Sequence, residues 1–592
     1  MLILDCEVYK NYFLASFLSR NDRVENIELY DNHPLDKERL ASRMLNNTTL
    51  TFNGNSYDLY MVAAAIKGWT THQIKTLSDA IITSNEPHWR VAASARINYP
   101  ADWDSVDIID VLPGRSSLKI YGARMGFPKL QELPIDPSAS IDAKDRDILR
   151  QYCENDLRVT QALAKKLTPQ INLRRTMGEQ YGMDLRSKSD AQIAEVVLKA
   201  EIEKVGDRLR PLKINENLQV RYLDPGFLKF DDPFDDPTLS ETFNKILKHP
   251  FELSDNGSVK IPPWLRETKI GIALGTYQMG IGGLHSTEKC QTVVPSKHET
   301  LCEFDVTSYY PNIILRQKTE PANAVGRFLP VYKSLVNKRI EAKKCGDTAT
   351  ADSMKIVINA SFGKFGSKYS VLYSPELLIQ TTLTGQLSLL MLIERFETVG
   401  ARVVSANTDG VVVLFNKALA NDVEQVVVNW EIDTSFDLER TDYRAIHSRD
   451  VNNYIAVKHD GTTKGKGSFA DPGLSKNPDF SIISEAIASQ LSGRKMAHDV
   501  INQCQDVRKF VTIRRVSGGA IWRGKNLGQS VRFYYSTEVD PSEHIEYAKN
   551  GNKVPKSSGT KPAMNLPDTL PPDVNKPHYI QLAQIAMKSM GI

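Results

Sequence analysis

Several carboxylates near the start of the chain are spaced as metal ligands would be. Asp5 and Glu7 are two residues apart, so they share a face if they lie on a strand. Asp58 follows Asn-Gly-Asn-Ser-Tyr, and Tyr152 and Asp156 have the i, i+4 spacing of one helix face. Carboxylate oxygens are the ligands that hard divalent cations prefer, and two such cations catalyse phosphodiester cleavage. Tyr152 is the candidate for orienting an attacking water.

A second pair of acids lies in the middle of the chain. Asp305 ends an apolar run that predicts a strand. Asp409 stands in Asn407-Thr-Asp-Gly410 between two β-branched runs, which predicts a hairpin with the acid at its tip. Aspartate and glycine are also ordinary turn residues, so each acid taken singly has a purely structural alternative.

Basic residues between these two acids fall on predicted helices. One face of the later helix consists of Lys355, Asn359, Phe362 and Gly363. Arg339 and Lys343 have i, i+4 spacing on the helix before it, and polar turn formers around Gly346 predict an antiparallel helical hairpin. Lysine can hold a triphosphate as a point charge. The alternative interpretation is a pair of solvated, charged helices.

Alternating strands and helices must position these side chains. The predicted strands are two within residues 1–20, then Thr48–Phe52 and Val106–Val111; the predicted helices are Tyr57–Ile66, Ala143–Leu167 and residues 170–205. This order predicts an α/β domain of roughly 165 residues. From about residue 300, strands and helices alternate again. Proline-rich stretches at 233–263 and 550–576 predict loops.

Composition limits the class of protein. The 592 residues are 41% hydrophobic and 24% charged, with 74 Lys and Arg against 71 Asp and Glu, which is typical of a globular chain. No uninterrupted apolar run approaches the ~18–20 residues of a membrane-spanning helix, and the chain start predicts no secretory signal. The six scattered cysteines form no CxxC pair, so we expect neither a zinc site nor a disulfide framework.

The last quarter of the chain is basic. Residues 451–592 hold 19 Lys and Arg against 12 Asp and Glu, which favours a polyanionic partner or, alternatively, a solvated basic face. Cations alternate with aromatic residues at Arg514-Arg515, Trp522-Arg523, Lys525 and Arg532–Tyr535. This pattern predicts contacts to duplex phosphates, with an ordinary amphipathic hairpin as the alternative.

The acids near the chain start form an ordered set. DxE at Asp5, Nx₃YD from Asn53 to Asp58 and Yx₃D from Tyr152 together resemble the motifs of DnaQ-like 3′–5′ exonucleases, over about residues 1–165. The resemblance implies an RNase H-like fold with Asp5, Glu7, Asp58 and Asp156 as metal ligands. It also implies that Asn53 and Tyr152 support the site.

The central motifs, in order, resemble those of family B DNA polymerases. Asp305–Asn312 is similar to DxxSLYPS, Lys355–Gly363 to KxxxNSxYG and Ser405–Gly410 to YxDTDS. The implied positions are Asp305, Val306 and Asp409 for metal, Tyr310, Arg339, Lys343, Lys355 and Asn359 for the nucleotide, and Tyr454, Lys464 and Lys466 for DNA. Tyr310 is implied as a steric gate against a ribose 2′-hydroxyl.

The chain departs from the family pattern at several positions. Asn407 and Ser405 stand where YxDTDS has an aspartate and a tyrosine. The KxY motif appears as Asn452-Asn453-Tyr454 without its lysine, and Lys464 or Lys466 is the expected substitute. Ile281-Gly-Gly-Leu-His285 resembles a YxGG motif that couples two active sites, or is a tight turn.

The resemblance predicts a multidomain α/β protein with an RNase H-like exonuclease domain and a right-hand polymerase. The predicted boundaries are 1–168 for the exonuclease, 169–300 for a connecting region and the first part of the palm, 301–330 and 369–475 for the palm, 331–368 for the fingers and 476–592 for the thumb. The expected enzyme is a DNA-directed DNA polymerase with proofreading, using two Mg²⁺ per site with Mn²⁺ as a substitute. The alternatives are a DNA-binding 3′–5′ exonuclease with an impaired polymerase site and a non-enzymatic DNA clamp.

Motif spacing suggests a subtype. Only 50 residues separate Asp305 from Lys355, and 50 separate Asn359 from Asp409, which leaves no room for the insertions of protein-primed phage polymerases. We therefore expect a compact bacteriophage replicative polymerase that extends an ordinary primer in the cytoplasm of an infected bacterium. The expected partners are primer–template DNA, dNTPs, a helicase and a single-strand binding protein, with a monomeric enzyme and no membrane.

Overall fold

The computed structural model describes residues 1–212, 219–234, 239–280 and 282–592. The chain divides into two compact units: residues 1–189, 472–481 and 504–578 form the first, and residues 190–471, 482–503 and 579–592 form the second. Both contain sheets and helices, which confirms a mixed α/β protein with more than one domain. The predicted boundaries of palm, fingers and thumb stay predictions.

The first unit begins with a five-stranded sheet covered by helices. Its strands are β1 (Leu2–Tyr9), β2 (Tyr12–Leu18), β3 (Val24–Tyr30), β4 (Thr49–Thr51) and β5 (Ser105–Asp107). Its helices are α1 (Lys37–Leu45), α2 (Asp58–Ile66), α3 (Thr71–Thr83), α4 (His88–Ser94), α5 (Leu118–Arg124), α6 (Ala143–Lys166) and α7 (Thr168–Tyr181). The sheet order is β3-β2-β1-β4-β5, with β1, β4 and β5 parallel.

The predicted N-terminal strands and the helix at 143–167 are confirmed, but the strand predicted at Val106–Val111 is too long. It ends at Asp107 because the Val111 amide donates to the Ile108 carbonyl and turns the chain out of the sheet. Along β1, Leu4 packs with one core cluster and Ile3 with another. This alternation places Asp5 and Glu7 on the sheet face that Ile3 shares with α5 and α6.

The second unit is built on a long antiparallel sheet. Its first strands and helices are α8 (Asp190–Lys204), β6 (Gln219–Arg221), α9 (Leu239–Lys248), β7 (Pro250–Glu252), α10 (Pro263–Glu267), β8 (Lys269–Ile272), β9 (Gly275–Met279), β10 (Leu284–Ser286), β11 (Lys289–Val293) and β12 (Glu299–Val306). Then follow α11 (Tyr309–Arg316), α12 (Phe328–Cys345), α13 (Thr348–Phe365), α14 (Pro375–Thr398), β13 (Arg402–Asn407), β14 (Gly410–Asn416), α15 (Ala420–Thr434), β15 (Leu438–Asp450), β16 (Asn453–Lys458) and β17 (Thr463–Gly465). The sheet order is β17-β16-β15-β12-β14-β13-β10-β9-β8, and β11 pairs with β15.

One feature of this unit corrects a sequence-based expectation, and a second concerns its longest apolar helix. The loop predicted at 233–263 contains α9, whose Leu239, Phe243 and Ile246 are buried at helical spacing; residues 235–238 lie outside the described ranges. Helix α14 is long and apolar enough to cross a membrane by length and composition, and polar residues interrupt its apolar sequence. Of its most apolar stretch, 89% is buried inside the protein, which is the environment of a core helix.

The predicted antiparallel helical hairpin is confirmed as α12 and α13. Gly346 ends α12 in the left-handed region with φ 74°, and its amide donates to the carbonyls of the last turn. The Asp347 side chain then accepts from the Thr350 amide and starts α13. Helix α8 packs on α13, where Glu195 pairs with Lys364 at 2.8 Å.

The last segment of the chain contributes to both units, and its long antiparallel hairpin belongs to the first unit. It contains α16 (Ser481–Leu491), α17 (Ala497–Gln503), β18 (Thr512–Trp522), β19 (Lys525–Tyr535), β20 (Glu546–Tyr547), β21 (Thr560–Pro562) and α18 (Lys576–Lys588), of which α16, α17 and most of α18 belong to the second unit. The predicted phosphate contact of Arg532 is wrong. Arg532 is fully buried and donates to the carbonyls of Phe127, Pro128 and Ala563, so it joins β19 to the segment before α6.

Candidate active sites

The structure brings the first set of predicted acids together. We call Asp5, Glu7, Asp58 and Asp156 the N-terminal carboxylate cluster. Asp5 and Glu7 lie on β1, Asp58 is the first residue of α2, and Asp156 lies within α6. The Cys6 amide donates to Asp58 Oδ1 at 3.0 Å, which holds the Asp58 carboxylate beside the strand between Asp5 and Glu7.

Lys119 is a member of this site that the sequence did not indicate. Its ammonium donates to both carboxylate oxygens of Asp156 and lies 4.3 Å from the ring centroid of Tyr152. The side chains of Lys119 and Asp156 are 12% and 9% exposed, so this is a nearly buried ion pair. Lys119 comes from α5, and no local spacing in the sequence links it to Asp156.

Cys153 was also missed. Its Sγ donates to Asp5 Oδ2 at 3.2 Å, and ligand atoms of Asp5, Glu7 and Cys153 all lie within 4.8 Å of one another. Cys153 precedes Asp156 by three residues, so helical spacing contained a signal for it. A single cysteine forms no CxxC pair, so the cysteine pattern alone does not indicate it.

Burial and mutual repulsion dominate the electrostatics of the N-terminal carboxylate cluster. Burial, followed by repulsion from Asp156, raises the pKa of Asp5 to about 7. Burial and then Asp5 raise the pKa of both Glu7 and Asp58 well above the usual carboxyl range. A divalent cation relieves repulsion of this kind, and the oxygen donors suit Mg²⁺. The residues present therefore fit the predicted metal.

Asp107 orders the turn that leads to Asp58. Its carboxylate accepts from the Asn53 amide at 2.8 Å and from the Asn55 amide at 3.0 Å, and it is 2% exposed. Asn53 lies in the left-handed region with φ 68°, which asparagine tolerates well. The contact that places Asn53 in this site is thus made by its backbone.

The second pair of predicted acids also converges. We call Asp305 and Asp409 the central carboxylate pair. Asp305 is near the end of β12 and pairs with Gly410, the first residue of β14. The Val306 amide donates to the Asp409 carbonyl at 2.7 Å, which places both acids at one end of neighbouring strands. The hairpin predicted around Asn407–Gly410 is confirmed as β13 and β14.

Gly410 is required by close approach. A Cβ atom at this position would lie 2.9 Å from Asp305 Oδ1 and 3.4 Å from the Phe304 carbonyl. A larger residue would push the Asp305 carboxylate out of its observed position. The glycine of the turn therefore sets how near the two acids come.

Two lysines balance the central carboxylate pair. Burial, followed by repulsion from Asp409, raises the pKa of Asp305 to about 6. Burial also raises the pKa of Asp409, and Lys466 opposes that shift. Lys464 donates to Glu303 at 2.7 Å, two residues before Asp305 on the same strand. Both predicted DNA-contacting lysines thus lie beside acids of this site.

Asn407 and Ser405, which depart from the YxDTDS pattern, each form a hydrogen bond with a neighbouring segment. Asn407 Nδ2 donates to the Val451 carbonyl at 2.9 Å. Ser405 Oγ donates to Glu288 Oε1 at 2.6 Å, and no local motif points to Glu288. Asn407 and Ser405 therefore act as hydrogen-bond donors to neighbouring segments.

Of the cations on the helical hairpin, Arg339 contacts the segment next to the central carboxylate pair. Arg339 on α12 donates to Ser308 Oγ at 3.3 Å, just after β12. On the same hairpin, Lys343, Lys355 and Asn359 are exposed, and none has a side-chain partner within the described ranges. The hairpin thus presents unneutralised donors.

Tyr310 connects the central pair with α13. Its hydroxyl donates to the Gly282 carbonyl at 2.7 Å, and its ring centroid is 4.6 Å from that of Phe362. Gly283 packs closely on Thr408, so this glycine pair borders the Asp409 turn. Ile281, at the start of the predicted YxGG-like motif, lies outside the described residues.

Tyr454 and its neighbours form one side of this site. The Tyr454 ring is buried, 6% exposed, with the Lys466 ammonium 5.9 Å from its centroid. Gly467 has φ 65°, and a Cβ there would collide with the Asn452 carbonyl. This contact holds Lys466 next to the Asn452–Tyr454 segment.

Comparison with known proteins gives a limited result. No protein-family profile and no curated protein sequence matches the chain. Among solved structures, the fold is similar to that of a family B DNA polymerase from the hyperthermophilic archaeon Pyrobaculum calidifontis. The two share 14% sequence identity with a TM-score of 0.42, over 99% of this chain and 77% of that chain. The two carboxylate sites therefore carry the functional assignment.

Proposed function

We propose that the protein is a DNA-directed DNA polymerase that adds dNTPs to a primer 3′-hydroxyl and proofreads with a 3′–5′ exonuclease. The observation that carries the proposal is the central carboxylate pair beside a helical hairpin with free cationic side chains. Arg339 and the Tyr310–Phe362 contact fix α12 and α13 next to the strand end that holds Asp305. Paired acids next to free cations are suited to a metal-bound triphosphate.

In the polymerase site, each side chain has a distinct task. Asp305 and Asp409 would hold two Mg²⁺, which activate the attacking oxygen and stabilise the leaving oxygen when bound. Lys355, Arg339 and Lys343 bind the triphosphate, while Asn359 lines the nucleotide pocket. The primer 3′-oxygen attacks the α-phosphorus, and the bond from that phosphorus to the leaving pyrophosphate breaks.

Tyr310 is proposed to select deoxyribose. Its hydroxyl is held by the Gly282 carbonyl and its ring is held by Phe362, so the side chain has little freedom to yield to a 2′-hydroxyl. Lys464, Lys466 and Tyr454 are proposed to position the primer end. The lysines already lie beside Glu303 and Asp409, where a phosphate or sugar oxygen would share their charge.

The N-terminal carboxylate cluster is proposed to hydrolyse the last phosphodiester of a mispaired 3′ end. Its four acids would hold the cations, and Tyr152 orients water. Lys119 fixes Asp156 and lies against the Tyr152 ring, so it positions both residues.

The proposed setting is the cytoplasm of an infected bacterium, with the protein as a monomeric bacteriophage enzyme. It would extend an ordinary nucleic-acid primer and work with a helicase and a single-strand binding protein.

The test is primer extension with a 5′-labelled primer on a longer template in Mg²⁺, with and without dNTPs. Wild type should lengthen the primer with dNTPs and shorten it without them. Asp409→Ala should lose lengthening by at least about a thousandfold and keep shortening. Asp5→Ala should show the reverse.

The outcomes separate the candidate functions. If the primer is only shortened, with or without dNTPs, the protein is an exonuclease with an impaired polymerase site and the polymerase proposal is wrong. Neither activity in Mg²⁺ or Mn²⁺, with folding verified by circular dichroism, would favour a non-enzymatic DNA clamp.

A further inference from the structure

The first unit contains a cavity that neither proposed activity uses. It has a volume of about 560 Å³ and is lined on one side by Ile3, Leu50 and Val106 of the three parallel strands. Asp5 and Glu7 come after Ile3 along β1, and Asp58 comes after β4. The cavity therefore lies toward the amino-terminal ends of these strands, and the N-terminal carboxylate cluster lies toward their carboxyl ends.

The floor of this cavity is aliphatic. Leu18 and Leu50 are 1% exposed, and Ala164 and Ile171 are 8% exposed, because they belong to the core cluster between the sheet and α6. All residues lining the cavity lie within the described ranges, and none of them is aromatic or acidic. The volume falls within the range of small-ligand and side-chain pockets.

The rim of the cavity is cationic. Arg20, Lys165 and Arg175 are exposed, and within the described ranges none forms an ion pair. Arg175 donates to Asn172 Oδ1 at 3.3 Å. Arg186, also at the rim, is different because Asp104 and Asp184 neutralise it at 2.6 and 2.7 Å. Three uncompensated positive charges thus border an apolar cavity.

We propose that this cavity captures an acidic peptide segment of a partner protein. An apolar side chain of the peptide enters the aliphatic floor, and neighbouring carboxylates of the peptide contact Arg20, Lys165 and Arg175. Charge complementarity selects the acidic segment, and burial of the apolar side chain supplies the non-polar part of the affinity.

A peptide fits the cavity better than nucleic acid does. Proteins that hold single strands stack bases on aromatic rings, and this cavity has none. A nucleic-acid backbone crossing the rim would meet the cations but would leave the aliphatic floor unfilled. The proposal does not depend on either proposed enzymatic activity.

The test is fluorescence anisotropy with the full chain and a fluorescein-labelled peptide of four acidic residues followed by leucine and phenylalanine. The expected result is a saturable rise in anisotropy that weakens with added salt. Replacing the leucine and phenylalanine by serine, or the acids by glutamine, should each abolish saturable binding. Asp5→Ala and Asp409→Ala should bind as wild type, which separates this proposal from the enzymatic ones.

Variants of the cavity locate the binding site. Arg20→Glu and Lys165→Glu should each weaken binding by about fivefold or more, since each reverses an exposed charge. Lys166→Glu is the matched control, because Lys166 is the exposed neighbour of Lys165 and does not line the cavity; it should bind nearly as wild type. Ala164→Leu fills the floor and should abolish binding.

Three results would overturn the proposal. The first is an absence of saturable binding by the wild-type chain. The second is binding that Arg20→Glu, Lys165→Glu and Ala164→Leu leave unchanged while circular dichroism shows folded protein. The third is binding of labelled oligothymidylate that Ala164→Leu abolishes and that the acidic peptide does not displace, which would assign the cavity to nucleic acid.

Discussion

Asp5 and Asp305 are both strand aspartates that other acids approach, but their surroundings differ. Asp5 belongs to four acids, of which Asp58 and Asp156 are buried while Asp5 and Glu7 are partly exposed, and Lys119, which contacts this cluster, is bound to Asp156. Asp305 is partly buried, its partner Asp409 is exposed, and Lys464 and Lys466 lie beside them. The four acids of the first site therefore face one cation, which forms a nearly buried ion pair, whereas two lysines lie beside the two acids of the second site, Lys464 on β17 and Lys466 just after it.

This difference indicates what each site is sensitive to. The N-terminal carboxylate cluster carries an excess of buried negative charge, so removal of its cation or a change of pH should disturb it most. The central carboxylate pair has its charge balanced nearby, so it should respond most to the geometry of the turn that presents Asp409. The first two of the following experiments perturb one site and use the activity of the other as a reference.

Gly410→Ala should have the largest effect. The new methyl group would meet Asp305 Oδ1 at 2.9 Å and displace that carboxylate. Because a displacement of about 1 Å can cost about a hundredfold in rate, we expect dNTP incorporation to fall by at least that factor. Primer extension and primer degradation are measured on the same preparation.

Gly282→Ala is the control for this variant, since a methyl group at Gly282 meets nothing within 4 Å. It should keep most of the incorporation rate, and both variants should degrade primer at the wild-type rate. Normal incorporation by Gly410→Ala would contradict the role of the turn.

Lys119→Met should have the next largest effect. It removes the cation that holds Asp156 and lies over the Tyr152 ring. Loss of such a positioning group typically costs about 10- to 100-fold, and we expect that decrease in degradation of a single-stranded primer. Incorporation of dNTPs should not change.

Lys144→Met supplies the matched control, because Lys144 is an exposed lysine of the same unit with no ion-pair partner in the described ranges. Lys119→Arg should restore part of the activity by keeping the charge. A Lys119→Met enzyme that degrades primer at the wild-type rate would remove Lys119 from the site.

The two sites also differ in how much of them could be predicted from sequence. The acids of both were found, because each lies in a short motif whose spacing fixes a shared strand or helix face. Lys119 could not be found, because a contact between α5 and α6 depends on packing of the whole unit. Glu288 was hidden for the same reason, as the pairing of β10 with β13 brings it to Ser405.

The failed predictions have a common cause. Arg532 was predicted to contact phosphate because its neighbours are cationic and aromatic, but three carbonyl groups from distant segments bind its guanidinium group. The prolines and aspartates around α9 predict a loop, but apolar residues at helical spacing bury one face of the helix. Local composition predicts chemistry poorly where tertiary contacts decide burial.

The third experiment measures the buried charge of the N-terminal carboxylate cluster through stability. In EDTA, the pKa of Asp5 is about 7 in the folded chain against 3.8 for an ordinary aspartate. Between these values the folded state keeps a proton that the unfolded state releases, so stability should fall as pH rises from about 4 to 7. Asp5→Asn should flatten this slope and raise Tm at pH 8 by about 5 °C.

Differential scanning calorimetry from pH 5 to pH 8 gives the measurement. Asp31→Asn, at an exposed aspartate of the same unit, should leave the slope unchanged. Added Mg²⁺ should raise Tm of the wild type more at pH 8 than at pH 5, because the acids must be ionised to bind it. If Tm of Asp5→Asn depends on pH as steeply as that of the wild type, Asp5 is not the group that holds the proton.

The smallest effect should come from Asn407→Asp, which adds an acid next to the central carboxylate pair. The variant loses the donor that binds the Val451 carbonyl at 2.9 Å. Because Asp305 and Asp409 already supply the proposed metal ligands, we expect the incorporation rate at saturating Mg²⁺ to stay within about threefold of wild type. Asn407→Ala separates loss of the donor from gain of the charge, and it should lower the rate by a similar small factor. If Asn407→Asp alone raised the incorporation rate by more than about tenfold, the native pair would lack a metal ligand that the new carboxylate supplies. The lysines beside the pair, Lys464 and Lys466, would then not compensate for that missing ligand.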